Sequence, residues 1–308
     1  MASLKSKILI GLMRRRHWFK GKWKKPEMGN SVESVLAFRA ECEKGAERFG
    51  KIPKGIEVRS EVINTIISEW LIPENAVPDK LLFYVHGGGY VSGSCNDHRS
   101  IVSKVAQATQ LKTLLFEYGL APENPHPAAL NDTVTIYQEV LKKGYDPKNI
   151  IMMGESAGGG LCLASLLAIR DRNIPLPKAA VVISPWTDLS CSGESYRTKN
   201  KVSLAPLNSW TVFSSFYTAG SNVTDPYISP LFGRLEGLPP LFINAGTADE
   251  LFDDSRRFYE KAELAGVDVT FSEGEEMIHC YPLLAPLFME ASIAMNEIVE
   301  FIQKQLES

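Results

Sequence analysis

The stretch GESAGGG, residues 154 to 160, follows directly on the apolar run NIIMM and sets one serine among four glycines. A serine at the tip of a strand-to-helix turn is held in strained backbone geometry, and small residues two positions to either side relieve the crowding. Gly154 and Gly158 stand at those positions around Ser156. Composition alone yields such a G-x-S-x-G match in roughly one random chain in seven, so its context decides the reading.

That context is an alternation of short β-rich runs with helical ones from about residue 55 onward. IEVRSEVINTIISEWLI reads as a strand pair turning at Asn64-Thr65, and KLLFYV, LKTLLFEY, NIIMMGE, AAVVIS, PPLFINAG and VDVTFSEG read as further strands. Helices are expected over about 128–143, from LCLASLLAIRDR, over 250–265 and over 286–305. Near-continuous apolar strands alternating with helices predict an α/β fold with a mostly parallel central sheet of about eight strands, covered by helices on both faces. Ligands bind such sheets at the carboxyl ends of the strands. HGGG, GESAG, GTADE and EEMIHC all begin where an expected strand ends.

The chemistry of those four loops is complementary. A serine hydroxyl needs a base to take its proton, and a helix starting just beyond Ser156 aims its N-terminal N–H groups at the site. In a Walker-type phosphate loop, Lys and then Ser or Thr would stand where the chain has Leu161-Cys162. HGGG, residues 86 to 89, arises by composition in roughly one random chain in five hundred. Its glycines leave backbone N–H groups free to face an oxygen that becomes negative in a tetrahedral intermediate. Of the five histidines, His17 lies in a basic N-terminus, His86 in the glycine loop, His98 at a helix start and His126 in a proline-rich loop. His279 follows the last strand and is the candidate base. Asp249 stands just past a strand end, with Asp253 and Asp254 as close rivals for the orienting acid. The chain order Ser156, Asp249, His279 is the one expected of α/β-hydrolases.

These residues resemble the hormone-sensitive-lipase-like branch of the α/β-hydrolases, the family IV bacterial esterases. The resemblance covers roughly residues 55 to 305 and rests on HGGGYVSGS, YGLAPENPHPAAL, GESAGGGL, SPWTDLS, DPYISPLFG, PPLFINAGTADELFDDS and MIHCY, in the family's order. It implies the nucleophile Ser156, the acid Asp249 and the base His279, with oxyanion donors in the backbone N–H groups of Gly88, Gly89 and Ala157. It implies hydrolysis of short- to medium-chain carboxylic esters through an acyl-enzyme, with no cofactor and no metal. Tyr90, Trp186 and Phe213 are candidates for an acyl or alcohol pocket, against the plainer reading of core aromatics. The family's cap fits the two segments that break the alternation, 1–50 and 187–224, leaving 51–186 and 225–308 as the catalytic domain. Two departures stand out: Glu117-Tyr118-Gly119 replaces the family's Asp-Tyr-Arg, which predicts that a loop-anchoring ion pair is lost, and Glu155 replaces the Asp or Thr usual before the serine.

Bulk properties agree with a small-molecule enzyme. A net charge of -3 argues against nucleic acid as a partner. The five cysteines, at 42, 95, 162, 191 and 280, form no C-x-x-C pair and read as free thiols of a reducing, cytoplasmic setting. Residues 1 to 28 carry nine Lys or Arg against the single acid Glu27. They read as a basic, partly amphipathic helix, either a solvated part of the cap or a contact for a membrane surface. The apolar run 8–13 is too short for a signal peptide or a membrane span. A homodimer is expected by family analogy. Amide hydrolysis, an interfacial lipase and a non-catalytic receptor are the competing functions; His279 argues against the receptor, since receptors resembling this family lack that histidine.

Overall fold

A computed structural model of the chain describes residues 10–11, 25–203 and 205–307. The basic stretch falls almost wholly on 1–9 and 12–24, so the expected amphipathic helix and its membrane contact lie outside the described residues. The sheet begins with the hairpin β1 (Ile56–Ile63) and β2 (Ile66–Pro73). Asn64 and Thr65 turn it with φ of 46° and 73°, the positive values a two-residue hairpin loop demands. Six more strands follow: β3 (Leu81–Val85), β4 (Lys112–Phe116), β5 (Ile150–Glu155), β6 (Ala179–Ile183), β7 (Leu241–Gly246) and β8 (Val269–Gly274). Their spatial order is β1-β2-β4-β3-β5-β6-β7-β8, antiparallel through β1, β2 and β4 and parallel from β4 onward.

The unbroken apolar runs have a simple cause, for alternate residues feed opposite cores. Leu81, Phe83 and Val85 of β3 enter one cluster with Ile150 and Met152 of β5. Leu82, Tyr84, Ile151 and Met153 enter the other. The first core is closed by α3 (Ala128–Lys142), α4 (Ala157–Asp171) and α7 (Phe252–Leu264), the second by α2 (Cys95–Thr109) and α8 (Met289–Glu307). Helix α4 is buried from Ala157 to Ile169, which its apolar composition permits. Helix α8 starts at Met289, three residues later than the sequence pattern suggests, because a 3₁₀ turn over Tyr281–Leu284 and then Pro286 occupy the approach.

Strand β3 lies between β4 and β5, so the chain reverses its direction of travel across the sheet at this point. The loops leaving β3 and β5 are HGGG and GESAG, which therefore meet at the crevice where doubly wound sheets bind ligands. Over it lie α1 (Val32–Phe49) and the insertion carrying α5 (Ser195–Thr198) and α6 (Ser209–Thr218). These segments are tied together where Met28 N donates to Leu207 O at 2.9 Å and Leu207 N to Pro26 O at 2.9 Å. The rings of Phe38 in α1 and Phe213 in α6 pack 5.2 Å apart. All five cysteines are free thiols, and among the described residues no helix is long and apolar enough to cross a membrane.

Candidate active site

Ser156 takes φ 57° and ψ -125° between the end of β5 and the start of α4. An L-residue holds such a conformation only where its surroundings over-determine it, at a cost on the order of 1–3 kcal/mol. Here Ser156 N donates to Ile183 O at 2.9 Å, and Ser156 O accepts from Trp186 N at 2.9 Å. A side chain at Gly158 is excluded, since a Cβ there would sit 2.2 Å from the carbonyl oxygens of Val85 and His86. The glycines that made the motif recognisable are therefore required by the approach of β3 and its loop to the helix start.

His279 and Asp249 come from the loops after β8 and β7. His279 Nδ1 donates to Asp249 Oδ2 at 2.7 Å, which leaves Nε2 as the basic nitrogen. Asp249 is fully buried, and its second oxygen accepts from Leu251 N at 3.1 Å. Burial pulls the His279 imidazole toward the neutral form, but the facing Asp249 carboxylate overcomes this and holds its pKa well above the ordinary histidine value. The His279 loop is fixed to the strand ends: Cys280 N donates to Ser184 Oγ at 3.1 Å, and Ala248 N to Met277 O at 2.9 Å. Trp210 of α6 stands edge-on to the His279 ring at 5.7 Å and to Trp186 at 5.0 Å. The acid and base are thus in direct contact, and Ser156 joins them through the Trp186 and Ser184 segment.

The rival acids have other work. Asp254 Oδ2 accepts from Thr187 N at 2.9 Å and Asp188 N at 2.8 Å, while Asp253 Oδ2 accepts from Ser195 N at 2.8 Å. Both anchor the insertion to α7. His126 is also spoken for, edge-on to Tyr217 at 5.7 Å.

The HGGG loop lies against the serine, since a Cβ at Gly87 would come 3.3 Å from Ser156 Cβ. Gly88 has φ 113°, and any side chain there would collide with Ser92 O at 2.1 Å. Among the described residues no hydrogen bond uses the N–H of Gly88 or Gly89, and Ala157 opens α4, where an N–H has no intrahelical partner. These are the three groups that the family resemblance implies as oxyanion donors. Of the expected pocket aromatics, Phe213 lies on the loop, so close that a Cβ at Gly89 would be 2.4 Å from its ring. Tyr90 stacks on Tyr217 at 3.8 Å, and Trp186 is fully buried in the same aromatic cluster.

Three residues escaped the sequence reading. Trp210 and Phe38 lie in segments with no motif, so only tertiary packing reveals them. Arg39 of α1 corrects the expected loss of an ion pair beside Gly119. Its guanidinium donates to Val91 O at 2.8 Å, to Ala121 O at 3.0 Å and to both Glu123 oxygens at 2.9 Å. The loop keeps its anchor, supplied by another helix.

A sequence model for an alpha/beta hydrolase fold family matches residues 82–283. An acetyl-hydrolase of Streptomyces hygroscopicus is 37% identical over 268 residues, 86% of this chain and 88% of that protein. An esterase of Acinetobacter venetianus is 36% identical over 234 residues, 75% of this chain and 77% of that protein. Among solved structures, an esterase/lipase from an uncultured bacterium superposes with a TM-score of 0.90 at 34% identity over 100% of both chains. An esterase from the bacterial hormone-sensitive lipase family does so with a TM-score of 0.88 at 34% identity over 99% of both chains.

Proposed function

The chain belongs to the hormone-sensitive-lipase-like branch of the α/β-hydrolases and is a carboxylic ester hydrolase, and on that premise we propose that Ser156, His279 and Asp249 carry the reaction through an acyl-enzyme. The supporting observation is the 2.7 Å bond between His279 Nδ1 and Asp249 at the strand ends that also carry the strained Ser156 turn. His279 Nε2 takes the proton of Ser156, whose oxygen attacks the ester carbonyl. The tetrahedral oxyanion is received by the N–H groups of Gly88, Gly89 and Ala157, each such donor being worth on the order of 3 kcal/mol. His279 then protonates the leaving alcohol, and water repeats the sequence to release the acid. Asp249 keeps the imidazole in the required tautomer and stabilises its charged form.

In this reading α1 and the 187–224 insertion form the cap. Phe213 and Phe38 bound the acyl site above Gly89 and favour short to medium acyl chains, a preference in keeping with the acetyl-hydrolase relative. Hydrolysis of p-nitrophenyl esters from acetate to palmitate, with Ser156→Ala as control, tests the assignment. Activity on the short esters is expected, lost by at least about 10³-fold in the variant; equal activity in both proteins would sink it.

The same reading places the enzyme in the cytoplasm, in keeping with its free thiols. It also includes a homodimer across the outer edge of β8, beside which Met289 and Ile293 are exposed. Light scattering in solution tests the dimer, and vesicle co-sedimentation tests the basic N-terminus.

A further inference from the structure

Behind the glycine loop lies a buried group of polar side chains that the triad does not use. Glu155 ends β5 and directly precedes the nucleophile, yet its side chain points back under HGGG. Its Oε1 accepts from Gly87 N at 2.7 Å and from His98 Nε2 of α2 at 3.1 Å. His86 Nδ1 donates to Gly87 O at 2.8 Å, and Tyr118 Oη donates to His86 O at 2.8 Å. The side chains of Glu155 and His98 are 5% and 12% exposed, so these bonds have little competition from water.

Together the contacts fix two successive peptide groups. The 86–87 unit is held at its oxygen by Tyr118 and at its N–H by Glu155. The 87–88 unit is held at its oxygen by His86. A peptide unit is planar, so pinning that oxygen fixes the direction in which Gly88 N–H points. A donor aimed before the charge develops stabilises it without reorganisation. Glu155 also shares its backbone with Ser156, so one residue sets both the nucleophile and the register of the loop opposite.

We propose that Glu155, braced by His98, is a positioning residue of the oxyanion hole, acting through the Gly87 N–H on the aim of Gly88 and Gly89. The proposal rests on the assignment of ester hydrolysis to Ser156. Two electrostatic features accord with it. Burial and the adjacent His98 ring push the His86 pKa down to about 3, which keeps His86 neutral and its Nδ1 proton committed to Gly87 O. Burial works against a charged His98, but the Glu155 contact outweighs it and raises the His98 pKa, favouring the charged brace.

The test compares the wild type with Glu155→Leu, Glu155→Gln and His98→Gln. It reads kcat and KM on p-nitrophenyl butyrate together with the affinity of a butyl trifluoromethyl ketone, whose hemiketal oxygen occupies the oxyanion hole. For Glu155→Leu, kcat should fall by about 10- to 100-fold with KM within about threefold, and ketone affinity should fall in parallel. Glu155→Gln retains an acceptor for Gly87 and should recover most of the loss. His98→Gln perturbs the brace from outside and should lower kcat and ketone affinity together by about three- to tenfold, which carries the test even if Glu155→Leu does not fold. A folded Glu155→Leu or a His98→Gln with unchanged kcat would overturn the proposal. So would a fall in kcat with full ketone affinity, or a Glu155→Gln as impaired as Glu155→Leu. Wild-type ketone binding and its loss in Ser156→Ala report on the nucleophile, whereas the ratios among these variants report on Glu155, so the two failures are distinguishable.

Discussion

At His279 two opposing forces act on one proton. Burial favours the neutral ring, and the Asp249 carboxylate at 2.7 Å favours the charged one and prevails. In the proposed mechanism His279 must be neutral to accept the Ser156 proton, so activity should rise as pH climbs through the His279 pKa. The acid limb of kcat/KM is therefore expected above the ordinary imidazole range. Asp249→Asn removes the charge and should move that limb to lower pH, while kcat drops by about 10⁴-fold through loss of the correct tautomer. A pH–rate profile of both proteins on p-nitrophenyl acetate decides; an unmoved limb would mean another group titrates. The proposed triad could be named from the chain because each member follows a strand end and the order is distinctive; the structure brings His279 and Asp249 into contact. Asp249 was separable from Asp253 and Asp254 only by position, and the structure supplies the reason, since both rivals hold the insertion in place.

Among elements, α1 and the loop after β4 show how a motif can change while its task persists. Gly119 replaces an arginine of the family pattern, and its N–H instead donates to Asp132 Oδ2 at 2.8 Å. Arg39 reaches across from α1 and bonds two carbonyls and a carboxylate, joining the glycine loop to the proline-rich loop. Glu123 is half exposed, with 49% of its side chain in solvent, so the ion pair itself is worth little. The bonds to Val91 O and Ala121 O should dominate. Arg39→Ala is expected to cost about 1–2 kcal/mol of stability, and Glu123→Gln less than about 0.5 kcal/mol. Chemical denaturation measures both, and equal losses would show that the charge pair does the holding. No local pattern in α1 announces this role, because the partner carbonyls are 52 and 82 residues away in the chain. The inner strands, by contrast, were readable to within about two residues, since burial on both faces leaves β3, β5 and β6 almost wholly apolar.

Over the whole molecule, the sheet supplies a rigid platform and two segments distant in sequence close over its switch point. Their meeting is visible in three contacts: Trp210 on His279, Phe213 on Gly89, and Phe38 on Phe213. The first two place side chains of the insertion against His279 and the glycine loop, so in the proposed mechanism this insertion sets the room left for the acyl group. Sequence composition marked these segments as interruptions, but aromatic residues in such stretches are indistinguishable from core until their neighbours are known. Phe213 can be tested without emptying its site. Leucine is smaller than phenylalanine but still fills much of the space, so Phe213→Leu should fold, with a stability loss of about 1–2 kcal/mol. It should raise the ratio of kcat/KM for p-nitrophenyl decanoate over acetate by about tenfold, the scale on which apolar pockets discriminate small differences in length. Phe38→Leu, one ring further from Gly89, should shift the ratio in the same direction and by less. An unchanged ratio in both variants would make the pair packing alone, and the acyl boundary would then have to be sought on the Trp210 side of His279.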